Sequence, residues 1–157
     1  MKINKTKNKG FTLIEILVVI GIIGILATVV LVAVNPNRQF KQARDSQRVA
    51  NVNTILNALG QNMADHEGNL VCAGTKIELA ADTVFNLNSN GDTNDFNIAD
   101  CLIPDYISKL PYDPKNEDGH FIDNDDFDTG YTLTRDGNNR FVVAATGEIQ
   151  PVISVVR

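Results

Sequence analysis

The chain has 157 residues and a formal net charge of −5, from 14 Lys and Arg against 19 Asp and Glu. That length suits one modest domain plus an added segment. The acidic balance argues against a general nucleic-acid surface, because phosphate contacts need basic side chains.

The N-terminus carries Lys2, Lys5, Lys7 and Lys9 and then Gly10. From Phe11 to Val34 follows an apolar run of 24 residues whose only charged side chain is Glu15. As a helix rising about 1.5 Å per residue it is roughly 36 Å long, enough to cross a bilayer core. An ionised carboxylate inside such a segment costs about 2.5 kcal/mol near the middle and less near the edge. Glu15 therefore calls for a cationic partner, and the nearest candidate is an N-terminal ammonium created by a cut between Gly10 and Phe11. An ordinary secretory signal would have an apolar core of about 7–15 residues followed by small residues. This core is longer, although Ala27 and Ala33 imitate such a site. A plain signal anchor explains neither Gly10-Phe11 nor the position of the acid, and a buried helix of a soluble domain would show a polar face.

The Lys-rich leader, the Gly10–Phe11 junction, Thr12-Leu13-Ile14-Glu15 and the long apolar tail closely resemble the signal of type IV pilins and type II secretion pseudopilins. The resemblance covers about the first 35 residues. It implies that a prepilin peptidase cuts after Gly10 and that Phe11 becomes the N-methylated first residue. It further implies that Phe11 and Glu15 meet between subunits in a homo-oligomeric helical filament whose core is the apolar helix. The partners implied are that peptidase, membrane lipid before assembly, and an inner-membrane assembly platform with its ATPase. The location implied is a single-pass membrane protein that ends in a cell-surface pilus or a periplasmic pseudopilus. The chain departs from many type IV pilins in having Val32 where they place a kinking proline; Pro36 comes four residues later.

Gly21 and Gly24 each lower helix propensity by about 1 kcal/mol relative to alanine, and the resemblance places local melting of the helix on assembly near Gly24. Asn35-Pro36-Asn37 interrupts the run, since proline lacks the ladder donor. Arg38, Lys41, Arg44 and Arg48 flank this end against Asp45 alone, so charge asymmetry leaves orientation to the leader motif. This basic stretch reads as a contact for acidic neighbours or lipid headgroups, with DNA a weaker option.

An amphipathic helix is predicted over about residues 39–65. Val49, Val52, Leu56, Leu59 and Met63 form one apolar stripe, which suits packing on a sheet of the same chain. His66-Glu67-Gly68-Asn69 ends it. A short helix is predicted within Asn97–Lys109, broken at Pro104. Arg44-Asp45-Ser46-Gln47-Arg48 and the loop Leu110-Pro111-Tyr112-Asp113-Pro114 resemble segments of pilin-like heads. Tyr131–Arg135 and Arg140–Ala145 flank the turn Asp136-Gly137-Asn138-Asn139 as a hairpin, and Ile149–Val156 suits a third, edge strand after Pro151. The expected fold class is α+β: a long N-terminal helix, membrane anchor then amphipathic half, packed on a small antiparallel sheet. The segments are a leader (1–10), an anchor (11–34) and an extracytoplasmic head (35–157).

Cys72 and Cys101 are the only cysteines. The oxidising exterior that the resemblance implies favours a bridge, and two unpaired buried thiols are the alternative. Two acidic loops raise calcium as a cofactor. Asn86, Asn88, Asn90 and Asp92 alternate around Gly91, but Asn97 stands where a bidentate glutamate belongs. Asp123, Asp125, Asp126 and Asp128 crowd the second loop, which reads first as a solvated acidic loop and second as a calcium site. His66 and His120 have no accompanying catalytic motif, and neither a phosphate loop nor a nucleophile elbow is present. The sequence reads as a structural protein rather than an enzyme: a pilus subunit, a secretion pseudopilin whose loop binds calcium, or a tethered domain that does not assemble.

Overall fold

The computed structural model describes residues 10–33, 35–115 and 119–157. The leader lysines Lys2, Lys5, Lys7 and Lys9, and Val34, lie outside the described residues. The chain divides into two units, one ending at Gln39 and one from Phe40 to Arg157.

In the first unit, helix α1 runs Leu13–Ala33. Its sequence is apolar on every face, and its Leu, Ile and Val side chains stand exposed all round. Such a helix has no self-burying side and needs lipid or other helices around it. Thr28 keeps its hydroxyl satisfied by donating to the Gly24 carbonyl at 2.9 Å. The segment Leu13–Val32 is long and apolar enough to cross a membrane. Asn35, at φ 23°, separates the helices. Its carbonyl and side-chain oxygens accept the Arg38 N–H at 3.1 and 3.3 Å. Pro36 then opens α2 (Pro36–Asp65) in the first helical position, where its missing donor costs nothing. The second helix thus begins three residues earlier than its apolar stripe suggests.

The second unit is built on α2 from Phe40 onward. Two hydrogen bonds to the Met63 carbonyl, from His66 and Gly68, close the helix, with Glu67 and Gly68 at positive φ. The strands are β1 (Leu70–Cys72), β2 (Thr75–Ile77), β3 (Val84–Asn88), β4 (His120–Asp123), β5 (Asp126–Arg135), β6 (Phe141–Thr146) and β7 (Val152–Val156). The first two form a hairpin; the others form an antiparallel sheet in the order β3-β5-β6-β7, with β4 also paired to β5. The expected hairpin is present, with Arg135 opposite Phe141, and β7 is the expected third strand. The predicted helix within 97–109 shrinks to α3 (Ala99–Leu102).

Alternation along β5 turns Phe127, Thr129, Tyr131 and Leu133 inward. Tyr131 and Leu133 share one core with Val143 and Ile153 from the sheet and Val52, Ile55, Leu56 and Leu59 from α2. The buried face of α2 is displaced from the stripe read in the sequence: Ile55, Ala58 and Asn62 are buried, while Val49 is 40% exposed. This helix-plus-antiparallel-sheet, α+β arrangement is the pilin-like one expected.

Cys72 and Cys101 are joined by a disulfide, which ties β1 to α3. Beside it the buried Asn62 side chain donates to the carbonyls of Val71 (2.7 Å) and Cys101 (2.8 Å) and accepts the Val71 N–H (2.9 Å). One amide thereby satisfies three backbone groups that helix and hairpin leave over. Asn62→Leu is expected to lower unfolding stability by roughly 2–4 kcal/mol, since each stranded buried group costs about 1–3. Urea denaturation of the full chain in detergent measures it, and a loss under about 0.5 kcal/mol would refute the bracket.

Candidate functional site

Two sets of polar side chains stand out. The first surrounds the start of α1. Thr12 caps the helix: its hydroxyl accepts the Glu15 N–H at 3.3 Å. Glu15 reaches back, its Oε2 accepting the Thr12 N–H at 2.7 Å and the Thr12 hydroxyl at 2.8 Å. This reciprocal arrangement is a capping box, and Thr-x-x-Glu before an apolar run is its sequence signature. One carboxylate oxygen is thus occupied locally. The other, Oε1, has no hydrogen-bond partner among the described residues and is open to an outside cation. Phe11, directly ahead, is 87% exposed. Among the described residues, a Cβ at Gly10 would meet nothing within 4 Å.

The second set lies in the other unit, where the first turns of its helix meet two loops. Arg48, only 3% exposed, forks onto Asp113 through Nε (2.6 Å) and a terminal nitrogen (2.8 Å). Its other terminal nitrogen donates to Asp45 at 2.8 Å and to Glu148 at 3.4 Å. Asp45 also accepts the backbone N–H groups of Glu148 and Ile149, both at 2.8 Å, and of Gln150 at 3.3 Å. Arg44 and Lys115 complete the set on Glu148, at 2.9 and 3.3 Å. Asn51 extends the seam by donating to the Tyr112 carbonyl (3.0 Å) and the Tyr131 hydroxyl (2.8 Å). Gly147, at the head of the turn Asp45 holds, has no room for a side chain: a Cβ there would lie 2.0 Å from the Gln150 carbonyl oxygen.

Among the described residues three cations meet three carboxylates in this cluster, which fastens α2 to the 110–115 loop and the 147–150 turn. That corrects the reading of Arg38–Arg48 as a basic contact surface: Arg44 and Arg48 are consumed within the chain, and Arg38 and Lys41 remain its exposed cations. Burial works against charge on Asp45, but the three backbone donors and Arg48 outweigh it and hold its carboxyl at about 2. Hydrogen bonding from Arg44, opposed by burial and helped by Lys115, holds Glu148 at about 2 as well. The fork from Asp113 raises the already high value of Arg48, and burial pushes the Tyr131 phenol up to about 12.

Among the described residues no group of three or more His, Cys, Asp and Glu is placed to hold a metal ion. Asp123 accepts the Asp125 N–H at 2.9 Å, Asp128 the Gly130 N–H at 2.8 Å, and Asp126 pairs with the His120 ring at 2.8 Å. These carboxylates shape their own turns and strand. In the earlier loop, Asp95 organises the chain by accepting from Asn86 (3.3 Å) and the Asp92 N–H (2.9 Å). Asn97 turns to the Asn124 carbonyl at 3.1 Å.

Arg48→Met is expected to cost about 3–5 kcal/mol, because it removes the buried cation that both Asp45 and Asp113 bond; a loss under about 1 kcal/mol on urea denaturation would contradict the linkage described. The pH dependence follows from lowered carboxylates. Folded values near 2 against ordinary values near 4 mean that the cluster's contribution is whole above about pH 5. It is lost as pH falls through about 4 to 2. The urea midpoint should stay flat from about pH 7 to 5 and drop below, with a shallower drop in Arg48→Met; equal drops would refute the assignment.

Residues 5–31 match the family model of the prokaryotic N-terminal methylation motif. The match spans the leader junction, the capping box and nearly all of α1, and it is the signature of type IV pilins and pseudopilins. No curated protein and no solved structure matches the chain.

Proposed function

We propose that this bearer of the pilin methylation signature is the structural subunit of a type IV pilus-like filament. In this reading prepilin peptidase cuts after Gly10, Phe11 is N-methylated, and the apolar helix becomes the filament core. The observation that carries it is the Oε1 of Glu15, without a partner among the described residues, on a helix apolar all round. The match over residues 5–31 supports it.

The steps follow from solvation. Before assembly α1 lies in the membrane, where lipid covers its apolar faces. Leaving the membrane would expose those side chains to water. Burial against neighbouring helices, at about 25 cal/mol per Å², recovers on the order of tens of kcal/mol before ordering costs. This term is strong but indifferent to register, because one apolar turn packs much like the next. Glu15 supplies register. Its free oxygen needs a cation, and a cleaved neighbour offers one at a single height, the Phe11 ammonium. Methylation keeps that nitrogen charged. Thr12 holds the carboxylate on its other side so that Oε1 stays directed outward from the box.

A type II secretion pseudopilin shares this chemistry and is the second reading. Glu15→Ala is expected to leave the subunit processed and accumulating in the membrane while the yield of sheared filaments falls at least about tenfold, the equivalent of about 1.4 kcal/mol per added subunit. Filaments at normal yield would refute the register role. Gly10→Val should abolish cleavage, read as a subunit mass that retains the leader; the mature mass would contradict recognition at Gly10.

A further inference from the structure

The sheet's two flanks are finished differently. On the β3 side, residues 94–96 cover the outer edge: the Asn86 N–H donates to the Asn94 carbonyl at 2.7 Å and the Phe96 N–H to the Asn86 carbonyl at 2.9 Å. The β7 side is bare. Phe141 and Arg157 exchange both backbone hydrogen bonds, at 2.9 and 3.0 Å. Antiparallel alternation then makes Val143–Val155 and Ala145–Ile153 the bonded pairs. The N–H and C=O groups of Val152, Ser154 and Val156 accordingly point away from β6, and among the described residues they meet no backbone partner. Protein edges are commonly protected by a charge, a proline or a bulge. From Val152 to Val156 there is no charge and no proline, and the pairing with β6 runs without a register shift. The flanking Arg157 guanidinium is tied back to Asn57 at 2.6 Å.

The strand is also nearly a palindrome about its centre: Val152-Ile153-Ser154-Val155-Val156. We propose that the β7 edge is a docking site for the β7 edge of a second copy of this chain, antiparallel and centred on Ser154. In that register Ser154 faces Ser154, and Val152 faces Val156 of the second copy, forming about six backbone hydrogen bonds. Val152 and Val156, 67% and 46% exposed in the single chain, cover one another across the seam. The uncharged strand lets two acidic heads approach without like charges meeting, and a self-complementary surface favours this occupant over an unrelated peptide. Two five-residue strands bury less than the roughly 1,000 Å² of a stable interface. One pair is therefore weak, and repetition along a fibre makes it count. Such a two-fold contact closes on itself, whereas a helical filament needs head-to-tail contacts. If the chain forms filaments, as proposed above, β7 pairing therefore joins neighbouring filaments side by side.

The test uses the full chain in detergent micelles, where pairing is read without filaments. With a copper–phenanthroline oxidant, Ser154→Cys should form disulfide-linked homodimer at least about tenfold more than Ile122→Cys, an exposed position on β4; facing Cα atoms about 5.5 Å apart permit the bond. Adding V152K/V156K should abolish the crosslink, because lysines then oppose lysines. V152K/V156E should restore it, because each lysine then meets a glutamate. Equal crosslinking at both cysteines, capture of a different protein, or failure of V152K/V156E to recover would overturn the proposal. In cells, V152K/V156K should give separate fibres and V152K/V156E lateral bundles; bundling unchanged in V152K/V156K would count against the pairing. A lack of fibres from the unmodified chain would fall on the filament reading, with the micelle crosslink still deciding β7.

Discussion

A carboxylate within an apolar helix is the constraint on which the account rests. Glu15 sits in the first turn of α1, whose other side chains favour lipid or a packed helical core. The capping box settles one of its oxygens and leaves the negative charge. In water that would be unremarkable, since exposed caps are common. In an apolar medium an uncompensated charge costs several kcal/mol, and a partner cation at the right height recovers it. In the proposed filament, apolar burial sets whether helices associate, and the single acid sets where.

The unit from Phe40 to Arg157 has a different requirement, a unique arrangement of helix, sheet and loops. Its core of Val52, Ile55, Leu59, Tyr131, Leu133 and Val143 provides the driving force. Hydrophobic contact alone would tolerate sliding of the helix over the sheet. The Asp45–Arg48–Asp113–Glu148 cluster removes that freedom with directional, bidentate bonds. Asn62 does the same at the other end of the helix, beside the disulfide. One long helix is thus fastened near both ends of its buried stretch by polar groups and filled between them with apolar ones.

Much of this was legible in the sequence, for identifiable reasons. The anchor, the break at Asn35-Pro36, the amphipathic helix and the β5–β6 hairpin announce themselves through local periodicity and turn chemistry. The strands β1 and β2 were missed because their turn puts Ala73, at φ 47°, in a conformation usually left to glycine or asparagine. The short strands β3 and β4 lie among Asn and Asp residues that read as loop. The charged cluster was hidden because its partners lie 65 and about 100 residues apart, and no local pattern reports pairing over that distance. Arg44 and Arg48 therefore looked like a free basic stretch. Asn62 fell between the stripe positions for the same reason, its three partners being set by tertiary packing. The capping box, by contrast, is local and is written in Thr12-x-x-Glu15 itself.

The most direct measurement is a distance within the assembled fibre. Filaments grown from a mixture of subunits, half with the Phe11 nitrogen isotopically labelled and half with the Glu15 carboxyl carbon labelled, can be examined by solid-state dipolar recoupling. The account predicts dephasing that corresponds to a separation of about 4 Å, an ion-pair distance, between different subunits. No dephasing in fibres whose subunits begin at Phe11, or fibres whose subunits still begin at Met1, would contradict it.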